Sequence, residues 1–209
     1  MLFRNLFFIG LFISLQPLNL LNAQVYQTKT ADIPCNNWLK TQLAGQSVKI
    51  GDLDISGNQI TIEAVFNRIS SYSGGILYAG DLVSKHDSPS DINYLLRPNS
   101  AEITTSTGYH IVTAPCEIEL NKTYHVALVY NGIKLKFYRN GYLMNETNVQ
   151  GNLFQNNYIT TIGDYAYPFP DVGTNFVGFI NEVRIWNVAR TQDEIRASMF
   201  SPLISPNTQ

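Results

Sequence analysis

The sequence is poor in the residues from which catalytic and nucleic-acid-binding sites are built. Its 209 residues include three histidines, His86, His110 and His125, scattered without metal-ligand spacing, and two cysteines, Cys35 and Cys116. There is no C-x-x-C pair, no G-x-S-x-G elbow and no glycine-rich phosphate loop, which removes dithiol, serine-hydrolase and P-loop chemistry. No Lys/Arg cluster breaks the chain and the formal net charge is −2, so nucleic acid has no electrostatic footprint to meet. Spanning a bilayer takes about 20 uninterrupted apolar residues, and the best run is broken by Ser14, Gln16, Pro17 and Asn19. Internal repeats and low-complexity tracts are absent.

What is present begins with that broken run. Arg4 precedes Leu6-Phe7-Phe8-Ile9-Gly10-Leu11-Phe12-Ile13, and small Ala23 follows at the right distance. This is the order of a secretory signal over residues 1–23. It predicts a mature chain from Gln24 that is secreted or cell-surface, with no membrane span left after cleavage. No cysteine near the cleavage site marks a lipoprotein. The 186 residues that remain carry a formal charge of −3, because Arg4 leaves and no acid does. That length suits one domain with a sizeable core. In an oxidising compartment Cys35 and Cys116 are expected to form a disulfide, which on the chain-entropy model stabilises by roughly 4 kcal/mol.

From residue 46 to 186 the hydrophobic pattern has a period of two. Gln59-Ile60-Thr61-Ile62-Glu63-Ala64-Val65-Phe66, Tyr124-His125-Val126-Ala127-Leu128-Val129-Tyr130 and Ile133-Lys134-Leu135-Lys136-Phe137-Tyr138 alternate and are rich in β-branched and aromatic residues. The last two are joined by Asn131-Gly132, suited to a two-residue type I′ turn, and Asn140-Gly141 leads on to a third strand at Tyr142-Leu143-Met144. Further strands are predicted at 48–50, 75–83, 94–97, 101–105, 158–162 and 177–186. One helix is predicted after Thr191, whose spacing to Glu194 makes a capping box. The fold class that follows is all-β, a two-sheet antiparallel sandwich with one short C-terminal helix. Residues 24–45 form an N-terminal segment docking on the sandwich, 46–200 the domain, and 201–209 a tail or linker.

Three of these segments together resemble a known family. Gln59-Ile60-Thr61-Ile62-Glu63-Ala64 is similar to an early T-[VI]-E-[AG] strand. Thr123–Tyr130 with Leu135-Lys136-Phe137-Tyr138-Arg139-Asn140-Gly141 is similar to a W-H-V-A … L-x-[FL]-Y-x-N-G strand pair, with Tyr124 in place of Trp. Residues 176–190 resemble a closing F-x-G-x-[IL]-D-E-V-R-[IV]-[YW]-N-x-A strand, with Asn181 in place of Asp. The chain thus resembles the concanavalin A-like lectin/glucanase superfamily, in its laminin-G-like, pentraxin-like branch, and looks most like modules of secreted or surface proteins of Bacteroidetes-type bacteria. The resemblance implies a jelly roll.

The resemblance also implies where function would sit. Hydrolases of this fold carry E-x-D-x-x-E on one strand, where two carboxylates stand about 5 Å apart for a retaining mechanism. Here Glu63 is alone, Glu117 and Glu119 lack a third partner, and Asp193-Glu194 belong to the helix; the chain is expected not to be an enzyme. A structural calcium ion is implied at Asp52 or Asp54 with Asn181, since hard cations take loop oxygens. Two loops offer ligand-binding residues: Asp87, Asp91 and Asn93 in one, Tyr165 and Tyr167 in the other. Aromatic rings stack on sugars while Asp and Asn bond their hydroxyls. The expected function is a non-catalytic carbohydrate-binding or adhesion module with an extracellular glycan or surface protein as partner. A divergent glycoside hydrolase and a structural spacer domain remain open as alternatives.

Overall fold

The computed structural model describes residues 38–43, 45–70, 80–86, 91–164 and 175–201, and outside these only the backbone of a two-strand ladder, β1 (Leu11–Phe12) on β2 (Tyr26–Gln27). The signal segment, Cys35, Asp87, Tyr165, Tyr167 and residues 202–209 otherwise lie outside the described residues.

The remaining strands are β3 (Leu39–Thr41), β4 (Val48–Gly51), β5 (Ile60–Arg68), β6 (Val83–Lys85), β7 (Tyr94–Leu96), β8 (Ser100–Thr105), β9 (Gly108–Thr113), β10 (Thr123–Tyr130), β11 (Lys134–Arg139), β12 (Tyr142–Asn148), β13 (Thr160–Ile162) and β14 (Gly178–Trp186). They form two six-stranded antiparallel sheets. The first runs β12-β11-β10-β5-β14-β3 and the second β4-β13-β6-β7-β8-β9. This is the jelly-roll sandwich that the alternation predicts.

Alternation explains the core. Ile60, Ile62, Ala64 and Phe66 of β5, with Val126, Leu128 and Tyr130 of β10, face Val83, Tyr94, Leu96, Ile103 and Ile162 of the other sheet, all buried. Apolar burial of this kind contributes roughly 25 cal/mol per Å² and dominates the folding free energy. Helix α1 (Gln192–Ser198) is capped by Thr191 with the predicted Glu194 box, and seats Ile195 on Ala127, Val129 and Tyr138, on the first sheet's outer face.

The two Asn-Gly turns differ. Asn140 and Gly141 both have positive φ, and Arg139 pairs with Tyr142, so this is the two-residue turn. At the first, only Gly132 has positive φ, and the turn is shifted by one residue. Asn131 Oδ1 instead accepts from the Ile133 and Lys134 amides at 3.1 and 2.8 Å. An Asn side chain that mimics a backbone acceptor competes with the αL conformation expected of it. Two strands of the sandwich were not anticipated. β9 follows a turn at residues 106–107, and β3, inside the docking segment, pairs with β14 at the edge of the first sheet. Of the strand expected at 75–83, residues 75–79 lie outside the described residues, and β6 begins at Val83.

Candidate functional site

The outer face of the second sheet carries polar residues that alternation turns away from the core. Pairing sets Asn93 beside Thr104 and Thr104 opposite Tyr109, across β7, β8 and β9. The next row holds Ser84, Leu95, Glu102 and Ile111. Arg97 bridges the two acids of this face: its Nε donates to Asp81 Oδ1 at 2.7 Å and its Nη1 to Glu102 Oε1 at 2.8 Å. His86 Nε2 lies 3.1 Å from the other Asp81 oxygen. The Tyr109 hydroxyl donates to Glu102 Oε2 at 2.7 Å while the residue stays 48% exposed.

Electrostatics favour the charged forms of Asp81 and Arg97. Burial pushes the Asp81 carboxyl up, but the Arg97 charge and the His86 hydrogen bond outweigh it, leaving Asp81 below its ordinary value. Burial works against the Arg97 cation as well, yet Asp81 and Glu102 hold its pKa above the ordinary guanidinium value. Beside these saturated charges stand unsaturated dipoles. Both atoms of the Asn93 amide and the Thr104 hydroxyl are buried without a hydrogen-bond partner. Native proteins almost always pair such groups with protein, water or ligand, since leaving one bare costs about 1–3 kcal/mol. Asn93, read from the sequence as a ligand residue, is therefore at the centre of this face. Asp91 is half-buried, with its backbone oxygen accepting from Asn156 Nδ2 at 2.7 Å.

The residues expected to hold calcium are not brought together. Asp52 and Asp54 converge, but on the buried Lys85 ammonium, at 2.7 and 2.6 Å. Asn156 completes the shell through its backbone oxygen at 2.5 Å and its Oδ1 at 3.0 Å. Asn181 is exposed on β14, in the other sheet. Among the described residues no group of three or more His, Cys, Asp or Glu is arranged to hold a metal ion. The physical reason is that a lysine from β6 already supplies a cation to these two carboxylates.

The motif residues meet elsewhere, on the outer face of the first sheet. Glu63 of β5 accepts from Trp186 Nε1 at 2.8 Å and Arg190 Nη1 at 2.7 Å, and lies 3.0 Å from His125 Nε2. Arg184 Nη1 stands 4.0 Å away, and the Arg184 guanidinium is itself bonded to Glu182 and to the Ser198 and Ser201 carbonyls. Burial raises the Glu63 pKa, but the His125 hydrogen bond and the Arg190 charge bring it below its ordinary value. The carboxylate is shut in beneath α1 and joins the first, second and third motifs into one buried node. Glu117 is exposed and bonded by the Asn99 amide; Glu119 pairs with Lys122 at the surface. Cys116 is exposed, with Arg139 Nη1 3.4 Å from its Sγ; its expected partner Cys35 lies outside the described residues.

Two stacked antiparallel sheets, closed by a buried Glu–His–Arg–Trp node and carrying a polar outer face, define a lectin-like jelly roll. The chain belongs to the concanavalin A-like lectin/glucanases superfamily, whose laminin-G family model matches residues 42–196. No curated protein matches the sequence. Among solved structures, it is similar to domain 4 of a Geobacillus stearothermophilus extracellular arabinanase in complex with arabinotriose (TM-score 0.58, 17% identity, 73% of this chain and 72% of that one). It is also similar to a pentraxin of Limulus polyphemus (0.56, 16%, 82% and 87%). A third is the CBM40 of a Ruminococcus gnavus sialidase, bound to α2,3-sialyllactose (0.57, 15%, 78% and 97%). At these identities the likeness is one of fold.

Proposed function

We propose that the chain is a non-catalytic carbohydrate-binding or adhesion module of a secreted or cell-surface protein, using the outer face of β7, β8 and β9. The observation that carries this reading is the exposed Tyr109 ring beside the unfilled Asn93 amide and Thr104 hydroxyl. A sugar stacks its C–H face on such a ring. Its hydroxyls, or a water they hold, then complete buried polar groups. The arabinotriose and sialyllactose complexes of similarly folded domains support the class of ligand. Sugar hydrolysis finds less support, because Glu63 is enclosed by its own node. The signal-like residues 1–23 support export, and a Cys35–Cys116 bridge is part of the same reading.

A glycan array probed with the full mature chain, with and without calcium, tests the proposal. Binding that is lost in Tyr109→Ala, with the thermal transition unchanged, is the expected result. Silence across the array, or binding indifferent to Tyr109→Ala and Thr104→Val, overturns it. Mass spectrometry with and without reductant checks the disulfide.

A further inference from the structure

Charge on the outer face of the second sheet narrows the ligand. Two carboxylates, Asp81 and Glu102, share the single guanidinium of Arg97, and their side chains are almost fully enclosed. A second basic residue of these strands, Lys85, points between the sheets and is taken up by Asp52 and Asp54. The basic side chain of β4, Lys49, pairs opposite Thr161, and four strand spacings separate it from Glu102, about 19 Å. His86 is the other titratable group of the network, bonded to Asp81. The unfilled groups, Asn93 and Thr104, are neutral dipoles that give and receive hydrogen bonds.

An incoming anion therefore meets an excess of buried negative charge, with no uncommitted cation among the described residues of β7, β8 and β9 to receive it. A neutral sugar meets the exposed Tyr109 ring, with the Thr104 hydroxyl and the Asn93 amide buried on the same face as neutral hydrogen-bonding groups. Resting on the binding reading above, we infer that this face takes neutral, hydroxyl-rich oligosaccharides and discriminates against acidic sugars. Glu102 sets the discrimination, because its Oε2 is the carboxylate oxygen bonded to the hydroxyl of the exposed ring.

Isothermal titration of the full chain with a neutral set (arabinotriose, xylotetraose, cellotetraose, lactose) and an acidic set (α2,3-sialyllactose, tetragalacturonate) tests this. A neutral sugar that binds at least about tenfold more tightly than either acidic one is expected, the size of one like-charge repulsion at close range. Tightest binding to an acidic sugar overturns the inference and leaves the binding function standing. Silence to both sets overturns the two together. In Glu102→Gln the acidic sugars are expected to gain about tenfold while neutral ones move much less. Equal change in both sets removes Glu102 from the argument. Should that variant fail to fold, a salt series on the natural chain decides. Weak acidic-sugar binding that strengthens as salt screens repulsion is expected, and weakening overturns the inference.

Discussion

Replacing Glu63 with alanine removes the one anion that three separate segments share. Its side chain is 1% exposed, as is that of His125, while Arg184 is 2% and Arg190 11% exposed. Water is therefore not available to replace the lost carboxylate. Breaking a buried pair from one side costs about 3–5 kcal/mol. Arg184 keeps Glu182 and two backbone carbonyls, which places the expected cost at the lower end, about 3 kcal/mol. In a domain of this size that lowers Tm by about 6–12 °C. Glu63→Gln keeps an oxygen for Trp186 and loses only the charge, so about half the effect is expected, roughly 1.5 kcal/mol. The assay is thermal unfolding followed by circular dichroism, paired with a urea titration whose slope should not change. The pH dependence adds a second reading. Glu63 has its pKa lowered from an ordinary 4.5, so its contribution is present above pH 4.5 and is lost as pH falls through the lower folded value. The gap between the natural chain and Glu63→Gln should thus hold at neutral pH and close only below pH 4.5. A loss under about 1 kcal/mol in Glu63→Ala, or a gap unaffected by acid, refutes the reasoning.

Tyr109→Ala, at an exposed edge position, should leave Tm within about 2 °C, matching the small effect of surface substitutions, while abolishing array binding. Lys85→Met strands two carboxylates that are about half exposed and regain water, so a loss of about 2 kcal/mol is expected by urea titration. With Lys85 in place, excess calcium against EDTA should move Tm little. An ion bound at 100 times its Kd would add about 2.7 kcal/mol, and a shift of that size would show an oxygen set other than Asp52 and Asp54. Thr191→Ala removes the N-cap of α1 and should cost about 1 kcal/mol, with the far-UV signal nearly unchanged.

The sandwich was legible because alternation is local, and Ile60 through Phe66 or Val126 through Tyr130 announce their faces within a few residues. The node around Glu63 was half legible. The motifs named its members, but only the pairing of β5 with β10 and β14 shows that they converge. Asp52 or Asp54 was read as a calcium ligand with Asn181 because the family resemblance implies a carboxylate near the first strand at such a site. The lysine that satisfies both acids sits 31 residues beyond Asp54, in β6. Of the proposed binding face, Asn93 alone was visible. Tyr109, Thr104, Glu102 and Arg97 come from strand segments whose register decides which side chains meet, and register depends on partners. A signal for Tyr109 did exist: Gly108-Tyr109-His110-Ile111-Val112-Thr113 is a β-rich run after a glycine turn. Asp81, buried and ionised, gave no sequence signal at all.

The position of β5 also sets a timetable. It lies between β10 and β14, so one of its edges is covered by residues 123–130 and the other by residues 178–186. A ribosome or translocation channel that has released only the first 150 residues leaves the second edge open, with a row of unpaired amides and carbonyls beside it. Open edges of this kind recruit other chains, and pairings so distant in sequence form slowly. Residues 39–41 wait longest, since their strand partner is β14 itself. The first-made segment of the sandwich is thus among the last to find its partner, and the interval before β14 arrives is when the open edge is most exposed to other chains.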